Sequence, residues 1–261
     1  MLPLSFKPKE LFDLVRIGKN NDGGYLVCKN SLKETDLLIS FGIGNDFSFE
    51  ENFFKLKKVS IHAYDPSINY KFFIKIILSN LINLRFNNFF LNIINFFKFY
   101  RFFDNQKKII FYEKIGSGGN RIWTEVSLKK VFERSKTKSS IFLKIDIEGS
   151  EYRILDDILI NQDTLTGLVI EFHNVDLNID RIKTFIKDIN LQLVHIHPNN
   201  YANLGLNNIP TSLEITFSKN PIILSEKSDF PHPLDQPNNP LISDIELKFN
   251  EDFWIFKNQI Y

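Results

Sequence analysis

Leu37-Leu38-Ile39-Ser40-Phe41-Gly42-Ile43-Gly44-Asn45-Asp46 is the stretch that decides the fold of this 261-residue chain. A run of buried-strand character enters Gly-x-Gly, and Ile61-His62-Ala63-Tyr64-Asp65 follows, its acid 19 residues beyond Asp46. A first strand ending in Gly-x-Gly lets backbone approach a ligand closely, and an acid at the tip of the second strand can accept both ribose hydroxyls of an adenosine. The third glycine of a dinucleotide fingerprint is missing, because Phe47 stands in its place. A bulky residue there disfavours a pyrophosphate on the helix N-terminus and points to a cofactor with adenosine but no pyrophosphate. S-adenosylmethionine is the common one, with Gly42, Gly44, Asp46 and Asp65 as candidate contacts.

Similar Ile-, Val- and Phe-rich runs extend on either side: Val59 to Tyr64, Lys108 to Tyr112, Ser140 to Ile145, Leu168 to Phe172, Leu191 to Ile196 and Leu213 to Phe217. With the first they make seven candidate strands, and several are continuously apolar, as burial on both faces of a parallel sheet requires. Helical spacing lies between them: Leu128, Val131 and Phe132; Tyr152, Leu155 and Ile158; Ile182, Phe185 and Ile189. The expectation is an α/β, Rossmann-like, mostly parallel sheet in one domain over 1–261. Pro198–Ser212 lacks helical periodicity, so the last two strands are expected to pair antiparallel, with residues 220–261 a C-terminal extension. Residues 1–36 form an N-terminal extension in which Leu14–Gly18 and Tyr25–Cys28 flank Asn20-Asn21-Asp22-Gly23-Gly24, a hairpin signal. That hairpin either caps the sheet or also touches ligand.

Residues 67–105 form a Phe-rich insertion after the second strand. In Tyr70–Phe103, 22 of 34 residues are apolar, ten of them Phe, with five basic and no acidic side chains. Two helices breaking near Arg85–Asn88 are expected. Three readings compete: core and lid packing, a homo-oligomer interface, and a peripheral membrane contact. The wider excess of Phe and Asn over Ala is what AT-rich codons produce. Thirty-two basic against 31 acidic side chains remove the electrostatic case for a nucleic-acid partner. The single cysteine, Cys28, fits a reducing, cytoplasmic setting. No apolar run approaches the roughly 20 residues that span a bilayer, and no secretory leader is visible.

A second constellation, Leu143-Lys144-Ile145-Asp146-Ile147-Glu148-Gly149-Ser150-Glu151-Tyr152, places Asp146 and Glu148 at the carboxyl edge of the sheet, where open α/β folds bind ligands. Glu171-Phe172-His173-Asn174 ends the next strand at the same edge. His195 and His197 share one face of the following strand, able to reach the pocket or to be satisfied at the surface. His62 reads as structural, and His232 has no assigned role.

The hairpin Arg16–Tyr25, the Ser40–Gly44 strand end and the Leu143–Glu151 segment resemble FkbM-type methyltransferases, class I enzymes that use S-adenosylmethionine. The resemblance covers roughly Leu14 to Lys219, weakly over Tyr70–Phe103. It is closest to sugar O-methyltransferases of bacterial capsule and surface-polysaccharide biosynthesis, including those acting on nucleotide-linked heptoses. It implies a methyl transfer to a sugar hydroxyl; His173 is the leading candidate for the general base, because imidazole titrates nearest neutral pH, with Asp146 or Glu171 orienting it. Asp146 and Glu171 could instead hold Mg²⁺ or Mn²⁺. Ser40 replaces the acid that often begins the first cofactor motif, so Asp46 or the hairpin residues Gly23 and Tyr25 are expected to help hold the cofactor, together with Ser117 and Asp146. Glu148, Asn174, His197 and Arg121 are candidate substrate contacts, and Lys19 and the Ser117–Asn120 loop could meet a diphosphate. An amine acceptor, a non-catalytic nucleotide-sugar-binding or scaffolding domain, and an NAD enzyme are the rivals. Phe47 and the lack of a suitable Tyr-x-x-x-Lys pair argue against the last.

Overall fold

The computed structural model describes residues 1–104, 106–116, 125–135, 140–228 and 230–250. Strands β1 (Leu37–Phe41), β2 (Ser60–Tyr64), β3 (Lys108–Phe111), β4 (Ile141–Ile145), β5 (Leu165–His173), β6 (Gln192–Pro198) and β7 (Ser212–Ser218) form one seven-stranded sheet. The spatial order is β3-β2-β1-β4-β5-β7-β6. All pairings are parallel except those of β7, which runs antiparallel to both β5 and β6. The expected α/β sheet with an antiparallel last strand is therefore present. Order reverses between β1 and β4, and a doubly wound sheet opens a crevice there beyond the strands' carboxyl ends.

The helices are α1 (Lys29–Glu34), α2 (Ser48–Leu56), α3 (Tyr70–Ile82), α4 (Phe86–Phe103), α5 (Leu128–Arg134), α6 (Leu155–Asn161) and α7 (Val175–Asp188). Side-chain alternation along β1 decides which helices lie on which face. Leu37, Ile39 and Phe41 join the core built with α5, α6 and α7, whereas Leu38 joins the core of α2, α3, α4 and the hairpin. Local chemistry starts several helices. Asn69 accepts from the amides of Lys71 and Phe72 ahead of α3, and Ser127 accepts from the Lys130 amide ahead of α5. Two helical patterns are shorter than their spacing suggested. Tyr152 lies in a 3₁₀ turn (Glu151–Arg153) before α6, and Ile189 follows the end of α7.

Strands Leu14–Ile17 and Tyr25–Cys28 pair antiparallel as the expected hairpin. It packs on the same face of the sheet as α2, and the Thr216 hydroxyl of β7 donates to the Leu26 carbonyl at 2.8 Å. Two short pairings, Leu2–Pro3 with Phe249–Asn250 and Leu11–Phe12 with Ile223–Ser225, tie the N-terminal residues to the C-terminal extension.

The Phe-rich insertion is the helical pair α3 and α4. It breaks slightly before the expected position, at Leu84, whose φ of +55° turns the chain between them. Its inner face is core: Phe73 and Phe99 are buried, their rings 5.3 Å apart, and Phe47 lies 5.6 Å from Phe99 and 5.5 Å from Phe102. Among the described residues no helix is long and apolar enough to cross a membrane. The two faces of α4 should respond differently to truncation. Phe99→Ala is expected to cost about 3–5 kcal/mol of stability. Phe97→Ala, at a side chain 65% exposed, should stay within about 0.5 kcal/mol by urea unfolding.

Candidate active site

Strand register gathers the site. Phe41 pairs with Tyr64 on one side and Ile145 on the other, and Ile145 pairs with Ile170. One step further along come Asp65, Gly42, Asp146 and Glu171, and the row continues through the Glu171–Glu214 and Glu214–His197 pairs. Six strands thus deliver these groups to one edge.

The Gly-x-Gly turn sits at the strand-order reversal. Gly42 has φ +72°, and a Cβ built on it would lie 1.6 Å from the Asp146 carbonyl oxygen, so only glycine fits. Lys144 Nζ donates to the Gly42 carbonyl at 2.6 Å. Gly44, φ +58°, faces open space, with nothing within 4 Å of a Cβ position. That open space leaves the backbone at Gly44 accessible to a close-packed ligand. Asp65, 5% exposed, braces the turn. Its Oδ2 accepts from the amides of Ile43 (3.0 Å) and Gly44 (2.8 Å), and its Oδ1 accepts from the amide (2.7 Å) and hydroxyl (2.6 Å) of Ser67. The hairpin reaches this turn. Lys19 Nζ lies 2.8 Å from Asp46 Oδ2, the Lys19 amide donates to Ser48 Oγ at 3.1 Å, and Gly23 packs against the Asp46 carboxylate.

Tyr25, on the second hairpin strand, carries its hydroxyl into the row, 3.2 Å from both Asp146 Oδ2 and Glu171 Oε2. Burial, followed by the charges of Asp146 and Glu171, pushes the phenol well above its ordinary value, so it stays a donor. Glu171 Oε1 accepts from Asn199 at 2.9 Å and from Ser212 at 2.8 Å. Burial and then the Asp146 charge raise Glu171 above the usual carboxylate range. Its cross-strand neighbour Glu214 rises to about 8, through burial and then the Glu171 charge, and is mostly protonated at neutral pH.

His173 is held from several sides by the segment that begins at Glu148. Glu151, fully buried, accepts the Gly149 amide at 2.8 Å and the His173 amide at 2.6 Å, and the Tyr152 hydroxyl donates to the His173 carbonyl at 2.7 Å. The imidazole Nδ1 stands 3.4 Å from Glu151 Oε1; Nε2 stands 3.7 Å from Glu171 Oε1 and 3.5 Å from Glu148 Oε2. Burial opposes the imidazolium, but the adjacent Glu151 carboxylate and the charges of Glu171 and Asp146 outweigh it, lifting His173 to about 9. Asp146, Glu171 and His173 each offer one ligand atom, all within 4.8 Å of one another. Glu148 and Asn174, both exposed and in the left-handed region (φ +53° and +51°), stand at the rim.

His197 does not reach this cluster. β7 inserts between β5 and β6, placing His197 a strand further out, 4% exposed, with Nε2 2.9 Å from Asp244 and Nδ1 3.8 Å from Glu214. His195 is also buried rather than at the surface, bonded to Asp235 at 2.7 Å. Ser117 and Arg121, with the Ser117–Asn120 loop, lie outside the described residues. Sequence reasoning assigned no role to Glu50, Lys144, Glu151, Asn199, Ser212 or Glu214. Ser40 Oγ donates to the fully buried Glu50 at 2.5 Å, so a carboxylate does stand beside the position where Ser40 replaces an acid. Lys144 had a usable signal, a cation inside an otherwise apolar strand.

Glu151→Ala removes the acceptor of two amides. It should cost about 1–3 kcal/mol per stranded group in urea unfolding and lower the His173 pKa in an NMR titration, because a partner of the imidazolium is lost.

A solved structure, the crystal structure of a fibrillarin/Nop5p complex, is similar over 81% of this chain and 98% of that chain, at 9% identity and a TM-score of 0.35. No curated protein sequence matches. The family model described as methyltransferase FkbM domain matches residues 19–195. That match runs unbroken from the hairpin turn through both strand-end motifs to β6, more than half of the chain, and so the chain belongs to the FkbM family of S-adenosylmethionine-dependent methyltransferases.

Proposed function

We propose that the acceptor is a hydroxyl of a nucleotide-linked sugar, a heptose destined for a bacterial capsular or surface polysaccharide, and that the enzyme works in the cytoplasm. The observation that carries this reading is the convergence of Asp146, Glu171 and His173 beside the Gly42–Gly44 turn, with Glu148 and Asn174 at the rim. Carboxylate, imidazole and amide groups at several strand ends suit a polyhydroxyl ligand, which needs many directional partners and little apolar surface.

S-adenosylmethionine, when bound, supplies an electrophilic methyl group. The chain's own residues bind and orient around it. The Gly42-Ile43-Gly44 turn, fixed by Asp65, leaves open space for the adenosyl part, with Asp46, Gly23 and Tyr25 on the hairpin side. His173 receives the acceptor hydroxyl proton at Nε2, and the imidazolium so formed faces Glu151 and Glu171. The proton on the ligand-free imidazole must leave first. Because His173 titrates near 9, kcat/KM should climb as pH rises towards that value and flatten above it.

Purified protein, S-adenosylmethionine and a panel of nucleotide-linked sugars test the reading by release of S-adenosylhomocysteine; no release with any sugar removes the sugar assignment. His173→Ala should reduce turnover by about 10²- to 10⁴-fold while calorimetry still finds cofactor binding. Near-normal turnover in that variant would remove His173 from the base role.

A second reading rests on the same three ligand atoms within 4.8 Å. Asp146, Glu171 and neutral His173 suit Mg²⁺ or Mn²⁺, which would supply Lewis-acid chemistry at the acceptor oxygen. Loss of turnover with EDTA, restored by either ion and matched by calorimetric Mn²⁺ binding, selects this reading; unchanged turnover in EDTA rejects it.

A further inference from the structure

The outer face of the α3–α4 pair is apolar, cationic and without a partner among the described residues. On α3, Tyr70, Ile74, Leu78, Leu81 and Ile82 recur at helical spacing and are 42–80% exposed. On α4, Phe86, Phe90, Ile94 and Phe97 repeat the same spacing, 50–65% exposed, and Leu84 at the connecting turn is 72% exposed. Each stripe follows one helix face at steps of three and four. The opposite faces are occupied by core, so these stripes are surplus to folding. A contiguous exposed apolar surface of this kind marks a contact site.

Charge selects the occupant. Lys71, Lys75, Arg85, Lys98 and Arg101 are exposed, and no acidic residue occurs between Ser67 and Phe103. The cations lie with the apolar groups: Lys71, Lys75, Ile74, Leu78 and Ile82 line one shallow depression on α3. On α4, Arg101 follows Phe97 by one turn on the same face. Two copies meeting through this face would oppose five cations to five cations with no carboxylate between them. An anionic bilayer surface instead satisfies both properties: the apolar stripe enters the acyl boundary and the cations meet lipid phosphates.

We infer that the α3–α4 pair docks the enzyme peripherally on an anionic lipid surface, through Ile74, Leu78, Phe90 and Phe97 with Lys71 and Lys75 at the headgroups. The inner side of α4, opposite the exposed stripe, reaches the Gly-x-Gly turn, where Asn95 Nδ2 donates to the Asn45 carbonyl at 2.9 Å, so the docking face points away from that turn. The inference does not depend on the acceptor being a sugar.

Vesicle co-sedimentation tests it, with phosphatidylcholine vesicles alone and with phosphatidylglycerol added. Wild-type protein should pellet with the anionic vesicles and stay in solution with the neutral ones. Lys71→Gln and Lys75→Gln should each weaken partition about fivefold. The combined variant Ile74→Asn, Leu78→Asn, Phe90→Asn, Phe97→Asn should lose binding while retaining its thermal midpoint and its affinity for S-adenosylmethionine by calorimetry. Wild-type protein that ignores anionic vesicles, or a fourfold variant that still pellets, overturns the inference. A wild-type dimer in gel filtration that the fourfold variant dissolves, without vesicle binding, gives the face to a second copy of the chain.

Discussion

The carbonyl oxygen of Asp146 fills the space that any side chain at residue 42 would need, 1.6 Å from a Cβ position there. This close approach welds the end of β1 to the end of β4 at the place where strand order reverses. Lys144 bonds the Gly42 carbonyl from the same side, and the Asp146 amide donates to the Phe41 carbonyl at 3.1 Å. Two motifs about a hundred residues apart thereby become one site. Everything further along the row is fixed by register: once Phe41, Ile145 and Ile170 are level, Glu171 cannot avoid Asp146, nor Glu214 avoid Glu171.

That geometry creates an electrostatic problem, since carboxyls crowd an edge partly closed to water. The hairpin answers part of it. Tyr25 places one hydroxyl between Asp146 and Glu171, which makes the hairpin part of the site as well as a cap. Asn199 and Ser212 donate to Glu171, and Asn238 donates to Glu214 at 2.7 Å. What is left uncompensated appears as the upward shifts of Glu171 and Glu214, while the same carboxylates stabilise the His173 imidazolium and raise it too.

The strands were legible because a buried parallel strand is largely apolar on both faces, and those ending in Phe41 and Ile145 are apolar but for Ser40 and Lys144. The site was legible where a motif is local: Gly42, Asp146, Glu171 and His173 sit at strand ends that the pattern itself marks. Glu214 and Glu50 were not. Glu214 occupies an ordinary alternating position of β7, and only the insertion of β7 between β5 and β6 brings it beside Glu171. The same insertion moves His197 away, a displacement that no reading of spacing along one strand could reveal. Glu50 looks like a favourable acid in the first turn of a helix, and its contact with Ser40 depends on how α2 lies over β1.

Phe47 links the two departures of this chain from a nucleotide-binding pattern. As a missing glycine it speaks only about the cofactor. In three dimensions it is 6% exposed beneath α4, in contact with Phe99, Phe102 and Phe103. A glycine there would remove the ring around which the insertion is packed. The residue that breaks the dinucleotide fingerprint is therefore the one that anchors the α3–α4 pair. Because the anchor consumes only the inner aromatic face, the helices keep their outer apolar and cationic face exposed.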